Sequence, residues 1–216
     1  MSRPSAIASV MAAVLFWSCG SGNIAGNSSE TTNGLTIVAR AGIIEGTAPS
    51  FSSLYLFDDF YDPLSGMPFD SIKTDTTGAF SFQVSGVRYN LFCYGVNGLR
   101  SRVHLTMNAE SLENDTIRDT LREPGSIKGY TPPGTDMYPH KAYLYLEGTP
   151  FITVADSLSG YFRIDEIPEG QYTLKLVEEI NIDQSVVPYG LDTLSQESTK
   201  YINVKRNSVL PVEWKW

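Results

Sequence analysis

At 216 residues, 42% of them apolar and 12% aromatic, the chain is long enough to bury a core without disulfide staples. The formal charge of −8 argues against nucleic acid, because a phosphate-backbone partner requires clustered Lys and Arg. Two cysteines, Cys19 and Cys93, are too few for a disulfide framework.

Arg3 is the one charge before Cys19. Ala6 to Trp17 is an apolar run too short to span a bilayer, and it fits the core of a secretory signal peptide. Phe16-Trp17-Ser18-Cys19 resembles a bacterial lipobox, with a small residue directly before the cysteine. The resemblance implies that residues 1–18 are removed and that Cys19 carries a diacylglycerol thioether and an acylated amine. Such palmitate-type chains anchor stably, each buried CH₂ contributing roughly 0.8 kcal/mol. Gly20 stands where an Asp would resemble an inner-membrane retention signal, so the outer membrane of the cell envelope is the expected location. Residues 19–34 are rich in Gly, Ser and Asn without periodicity and read as a flexible tether, with a reach of about 20 Å.

Residues 35–123 read as a first β unit. Leu35 to Arg40 and Ser53 to Phe57 are expected strands, and Asp58 to Thr77 a long loop broken by Pro63, Gly66 and Pro68. Phe80, Phe82 and Val84 alternate with polar residues, the period-two pattern of a half-buried strand. Tyr89, Leu91 and Cys93 follow on the next strand. Asn97-Gly98 predicts a hairpin turn. Beyond it, Val103, Leu105 and Met107 share one face, and Arg100, Arg102 and His104 the other. A last strand places Ile117 with Leu121.

Residues 124–216 read as a second β unit, opened by Pro124-Gly125. Its inward sets are Ala142, Leu144 and Leu146; Phe162 and Ile164; Tyr172, Leu174 and Leu176; and Leu210, Val212, Trp214 and Trp216. Glu178 to Ser198 reads as a polar loop with strand pieces near Val186 and Leu194, and Ile202 and Val204 as a late strand. Pro211, which lacks a donor, belongs on an edge.

The units repeat one another. Leu54-Tyr55-Leu56 matches Leu144-Tyr145-Leu146; Asp75, Gly78 and Phe80 match Asp156, Gly160 and Phe162; Tyr89 and Leu91 match Tyr172 and Leu174. Asp and Gly at that spacing suit a tight turn, since Asp bonds its own backbone and Gly takes positive φ. The run "Asp-x-x-x-Gly-x-Phe-x-Ile-x-x-Ile-Pro-x-Gly-x-Tyr-x-Leu", from Asp156 to Leu174, resembles the carboxypeptidase-regulatory-like or prealbumin-like family. That resemblance implies seven-stranded β-sandwiches, usually non-catalytic, found in bacterial envelope proteins. The expected fold is therefore all-β: two tandem small antiparallel β-sandwich domains of Greek-key type after the signal peptide and tether.

No catalytic, metal or cofactor motif emerges. His104 and His140 lie in different units without zinc-site spacing. No Gly-x-Ser-x-Gly elbow or phosphate-cradling loop occurs. Cys93 aligns with Leu176, an inward position, and reads as a buried, inert thiol. Asp165, Glu166 and Glu169 cluster in a turn, as Asp58, Asp59 and Asp62 do in a loop. Paired acids are all a glycosidase needs, and calcium is an alternative use for the second group. The best binding candidate is that second loop: Phe60 and Tyr61 beside Asp58, Asp59 and Asp62, aromatic rings among polar acceptors as in a sugar platform. Alternatively, both rings cap the sandwich edge. The expected role is a non-catalytic, lipid-anchored module binding a polysaccharide or an envelope protein. The alternatives are an accessory subunit without its own ligand or, more remotely, a surface hydrolase.

Overall fold

A computed structural model describes residues 33–64, 66–107, 115–131, 140–181 and 193–214. Cys19, the signal segment and the tether up to residue 32 lie outside them, as do Val186 and Trp216.

In chain order the first unit comprises β1 (Gly34–Arg40), β2 (Ile43–Thr47), β3 (Ser53–Asp58), β4 (Asp70–Lys73), β5 (Ala79–Gln83), β6 (Arg88–Tyr94), β7 (Arg100–Thr106) and β8 (Asp115–Thr120). The second comprises β9 (Gly125–Tyr130), β10 (His140–Leu146), β11 (Ile152–Val154), β12 (Tyr161–Ile167), β13 (Gly170–Asn181), β14 (Thr193–Val204) and β15 (Val209–Glu213). The described residues are thus all-β. The first unit stacks sheet β5-β2-β1-β8 on sheet β4-β3-β6-β7; the second stacks β12-β9-β15 on β11-β10-β13-β14.

Alternating residues fill each core. Leu35, Ile37, Ile44, Phe80 and Phe82 meet Leu54, Leu56, Tyr89, Leu91, Cys93 and Leu105. Ile127, Phe162, Ile164 and Val212 meet Ala142, Leu144, Leu146, Tyr172, Leu174 and Leu176. The two sets form separate clusters, one in each unit, and each fully buried Leu, Ile or Phe in them contributes roughly 1.5–3 kcal/mol.

The repeat is visible in the turns. Asp75 Oδ1 accepts from the Thr77 amide at 2.8 Å, and Asp156 Oδ1 from the Ser159 amide at 2.7 Å. Gly78 (φ +74°) and Gly160 (φ +70°) follow, and their carbonyls accept from Ala48 and Thr131 at 2.9 Å. A Cβ on either glycine would stand 2.0 or 1.9 Å from the same partner's carbonyl oxygen, so no side chain fits. Tyr89 and Tyr172 also correspond. The Tyr89 hydroxyl accepts from the Gly86 amide at 2.5 Å, and the Tyr172 hydroxyl donates to the Pro168 carbonyl at 2.7 Å.

Several expectations need correction. Asp58 to Thr77 is not one loop, because β4 lies within it and pairs with β3. It is an exposed edge strand with one apolar residue, Ile72, so it shows no alternation. Ile43–Thr47 and Ile152–Val154 are strands that the pattern did not mark. The loop expected over Glu178 to Ser198 is shorter at both ends: β13 runs to Asn181 and β14 begins at Thr193, around the anticipated piece at Leu194. β15 pairs with β9 in parallel, whereas the other named strand pairs are antiparallel. Pro211 does sit on an edge, since β15 ends its sheet.

β6 is buried on both faces, including Asn90 and Phe92 on the side away from its own core. Turns of the second unit cover that side. Phe92 meets Phe151 edge-on at 5.8 Å, and Asn90 Nδ2 donates to the Gly148 carbonyl at 3.1 Å. The Gly148 amide donates to the Tyr61 carbonyl at 3.1 Å. Arg100 pairs with Glu166 at 2.9 Å and Arg122 with Glu169 at 3.3 Å.

Candidate functional site

The loop after β3 is tied by its own acids. Asp58 Oδ1 accepts from the Phe60 amide and Asp62 Oδ1 from the Leu64 amide, both at 2.9 Å. These Asx turns point the two neighbouring rings in different directions. Tyr61 packs back on Phe57 at 4.8 Å, and its hydroxyl donates to the Gly66 carbonyl at 3.1 Å. Partial burial, with Asp62 beside it, raises the Tyr61 phenol above its usual pKa. Phe60 is left 74% exposed, with the Arg88 guanidinium 5.0 Å from its ring centre. The two rings therefore differ: Tyr61 packs back on Phe57, and Phe60 is exposed with Arg88 against its ring.

Phe60 and Asp59 line a groove of about 610 Å³ between the units. The first unit adds Arg88 and Arg102 to it. The second adds Glu147, Gln171 and Thr173, and the β14 residues Tyr201, Ile202 and Asn203, with Tyr172 behind them. Tyr201 is 88% exposed. Of the loop residues expected to bind, Phe60 and Asp59 reach this groove; Tyr61, Asp58 and Asp62 do not line it.

The charges of the groove are mostly matched. Asp59 lies 3.4 Å from Arg88 Nε and 3.5 Å from His104 Nδ1. Glu147 lies 3.0 Å from Lys175 Nζ, which also reaches Glu197 at 2.8 Å. Those two carboxylates hold the Lys175 ammonium well above its usual pKa. Arg102 differs, for its partners are neutral. Its Nε and Nη2 donate to Asn90 Oδ1 at 3.0 and 2.9 Å, its Nη1 donates to the Gln171 carbonyl at 2.8 Å, and its guanidinium stacks 4.6 Å from the Tyr172 ring centre.

The other acids go elsewhere. Glu166 and Glu169 serve the contact between units, and Asp165 pairs with Arg163 at 2.7 Å on its own strand. Among the described residues, no three of His, Cys, Asp and Glu come together to hold a metal. Asp58 and Asp62 each commit an oxygen to their own turn, so the calcium alternative gains no support from this loop.

Sequence reasoning missed the half of the groove that the second unit supplies. One signal was present: if Ile202 and Val204 face inward, Tyr201 and Asn203 must face out. An aromatic ring on an outward register is a binding cue. The Arg100, Arg102 and His104 face was legible too, but its covering turns were not.

No family model matches the chain, and no curated protein matches it. A solved structure of the Bacillus anthracis TIE protein is similar at 14% identity with a TM-score of 0.26, over 86% of this chain and 38% of that one. The chain spans about two fifths of that structure's length, and so loose a likeness carries no argument about function.

Proposed function

We propose that this chain is a non-catalytic binding module of the bacterial cell envelope, anchored through lipid on Cys19, that holds a polysaccharide in the groove between its units. The observation that carries the reading is the pair of exposed rings, Phe60 and Tyr201, lining one groove with polar side chains around them. A sugar ring has an apolar C–H face and a rim of hydroxyls. Exposed aromatic faces match the first, and Asp59, Glu147, Gln171 and Asn203 supply donors and acceptors for the second. The groove's size suits a few sugar units in an open, largely pre-formed cleft. Asp59 and Glu147 are both engaged by cations, which favours binding over a hydrolase. The resemblance of Asp156–Leu174 to carboxypeptidase-regulatory-like modules, usually non-catalytic, points the same way.

A glycan array followed by titration tests this. The intact ectodomain is expected to retain at least one polysaccharide class. Phe60→Ala and Tyr201→Ala should each weaken it about tenfold, the loss of one stacked ring, with unchanged thermal unfolding. Failure to bind any glycan, with a pull-down recovering an envelope protein insensitive to both substitutions, would replace this reading with the accessory-subunit one.

A further inference from the structure

Resting on the glycan-binding reading, we infer that the groove selects an acidic saccharide, one bearing uronate carboxylates, and that Arg102 is the residue that reads the carboxylate. A guanidinium carries five N–H donors in a planar fork. Three are used: Nε and one on Nη2 toward Asn90, and one on Nη1 toward the Gln171 carbonyl. The remaining N–H groups are on Nη1 and Nη2, with the Tyr172 side chain beside them. Among the described residues no carboxylate faces this cation, while Arg88 has Asp59 and Glu147 has Lys175. The direct partners of Arg102 are thus the neutral Asn90 and Gln171 oxygens and the Tyr172 ring, with Asp59 reached only through the Asn90 amide.

The position is also rigid. Asn90 is fully buried and is fixed in turn by the Gly148 carbonyl, so the Arg102 fork is held from both units. A pre-positioned guanidinium loses little freedom when it meets an anion, and its remaining Nη1 and Nη2 donors can give charge-assisted hydrogen bonds to carboxylate oxygens. A neutral hydroxyl would satisfy one donor and leave the charge unmatched. With Phe60 and Tyr201 offering ring faces beside it, the site fits a stacked pyranose whose carboxylate lies against Arg102.

The test compares oligomers of galacturonate, glucuronate and mannuronate with their carboxyl-reduced counterparts, which keep the rings and hydroxyls and lose the charge. The unaltered protein should bind at least one uronate series about tenfold tighter than its reduced form, a typical margin for charge-assisted hydrogen bonding. Arg102→Gln should erase that preference while leaving binding of the reduced form in place. Arg102→Lys, which keeps charge without the fork, should keep only part of it. Phe60→Ala should weaken both forms alike. Equal affinity of the unaltered protein for both forms overturns the inference and leaves the glycan reading standing. So does binding of a neutral glycan with no uronate bound. Absence of binding to every uronate, reduced oligomer and arrayed glycan overturns both.

Discussion

Arg100 Nη2, on the first unit, lies 2.9 Å from Glu166 Oε2, on the second. Glu166 meets it from an unusual backbone, with φ +60°, in the irregularity where β12 shifts register on β9 between Ile164 and Ile167. The bulge aims the carboxylate at the neighbouring unit. Glu166 is largely exposed and Arg100 mostly buried, so the ion pair is worth on the order of 1 kcal/mol, and a left-handed non-glycine residue costs about 1 kcal/mol. Glu166→Ala loses the pair and keeps the strain, while Glu166→Gly loses both. The glycine variant should therefore be the more stable of the two by about 1 kcal/mol in urea unfolding. Equal midpoints would show that the bulge stores no strain.

Three positive-φ glycines form a graded series. Gly78 and Gly160 combine φ near +70° with a carbonyl oxygen about 2 Å from the site of any Cβ, while Gly98 (φ +83°) has open space around it. Gly98→Ala should cost about 1 kcal/mol, the backbone term alone. Gly78→Ala and Gly160→Ala must also push the Ala48 or Thr131 strand end away, and should each cost at least about 3 kcal/mol. Chemical denaturation of the three variants reads the difference directly. Similar losses at all three positions would mean that the close approaches relax freely.

What was legible in the sequence was local chemistry. The Asp75–Gly78 and Asp156–Gly160 turns need specific residues, and Phe80–Phe82 and Leu174–Leu176 alternate because one face of each strand meets a core. β4 carries too little apolar surface to leave such a trace, and β11 is three residues long. The groove was half legible. Phe60 stood out among acids and breakers, but its partner ring Tyr201 comes from the far end of the chain. Nor does anything near Asn90 in the sequence announce that Gly148 and Phe151 will cover its strand. Position along the chain says little about which turns of one sandwich land on the face of another.

The lipid anchor proposed at Cys19 has a direct readout. Cys19→Ser should shift the protein from the detergent phase to the aqueous phase on phase separation, and abolish incorporation of labelled palmitate. Among the described residues, no helix is long and apolar enough to cross a membrane. If the serine variant stays in the detergent phase, attachment does not depend on the thiol and the lipobox reading is wrong.

Cys93 links the first core to alkaline stability. Burial against Leu54 and its neighbours pushes the thiol up to about 11, from 9.0 when exposed. Between those values the unfolded chain releases a proton that the folded chain keeps. The folded state then binds more protons, so stability falls as pH rises from about 9 to about 11, by on the order of 2 kcal/mol. Tyr94 and Tyr172 are likewise raised by burial from 10.0, which extends the decline above that pH. In a Cys19→Ser background Cys93 is the sole thiol. There, Cys93→Ala should delay the onset of the alkaline decline from about pH 9 to about pH 10, whatever its effect on stability at neutral pH. In the same background at pH 8, a thiol reagent should modify Cys93 only as fast as the domain opens. Rapid labelling without denaturant, or an alkaline profile unchanged by the alanine, would show that the thiol is not held in the core as the packing indicates.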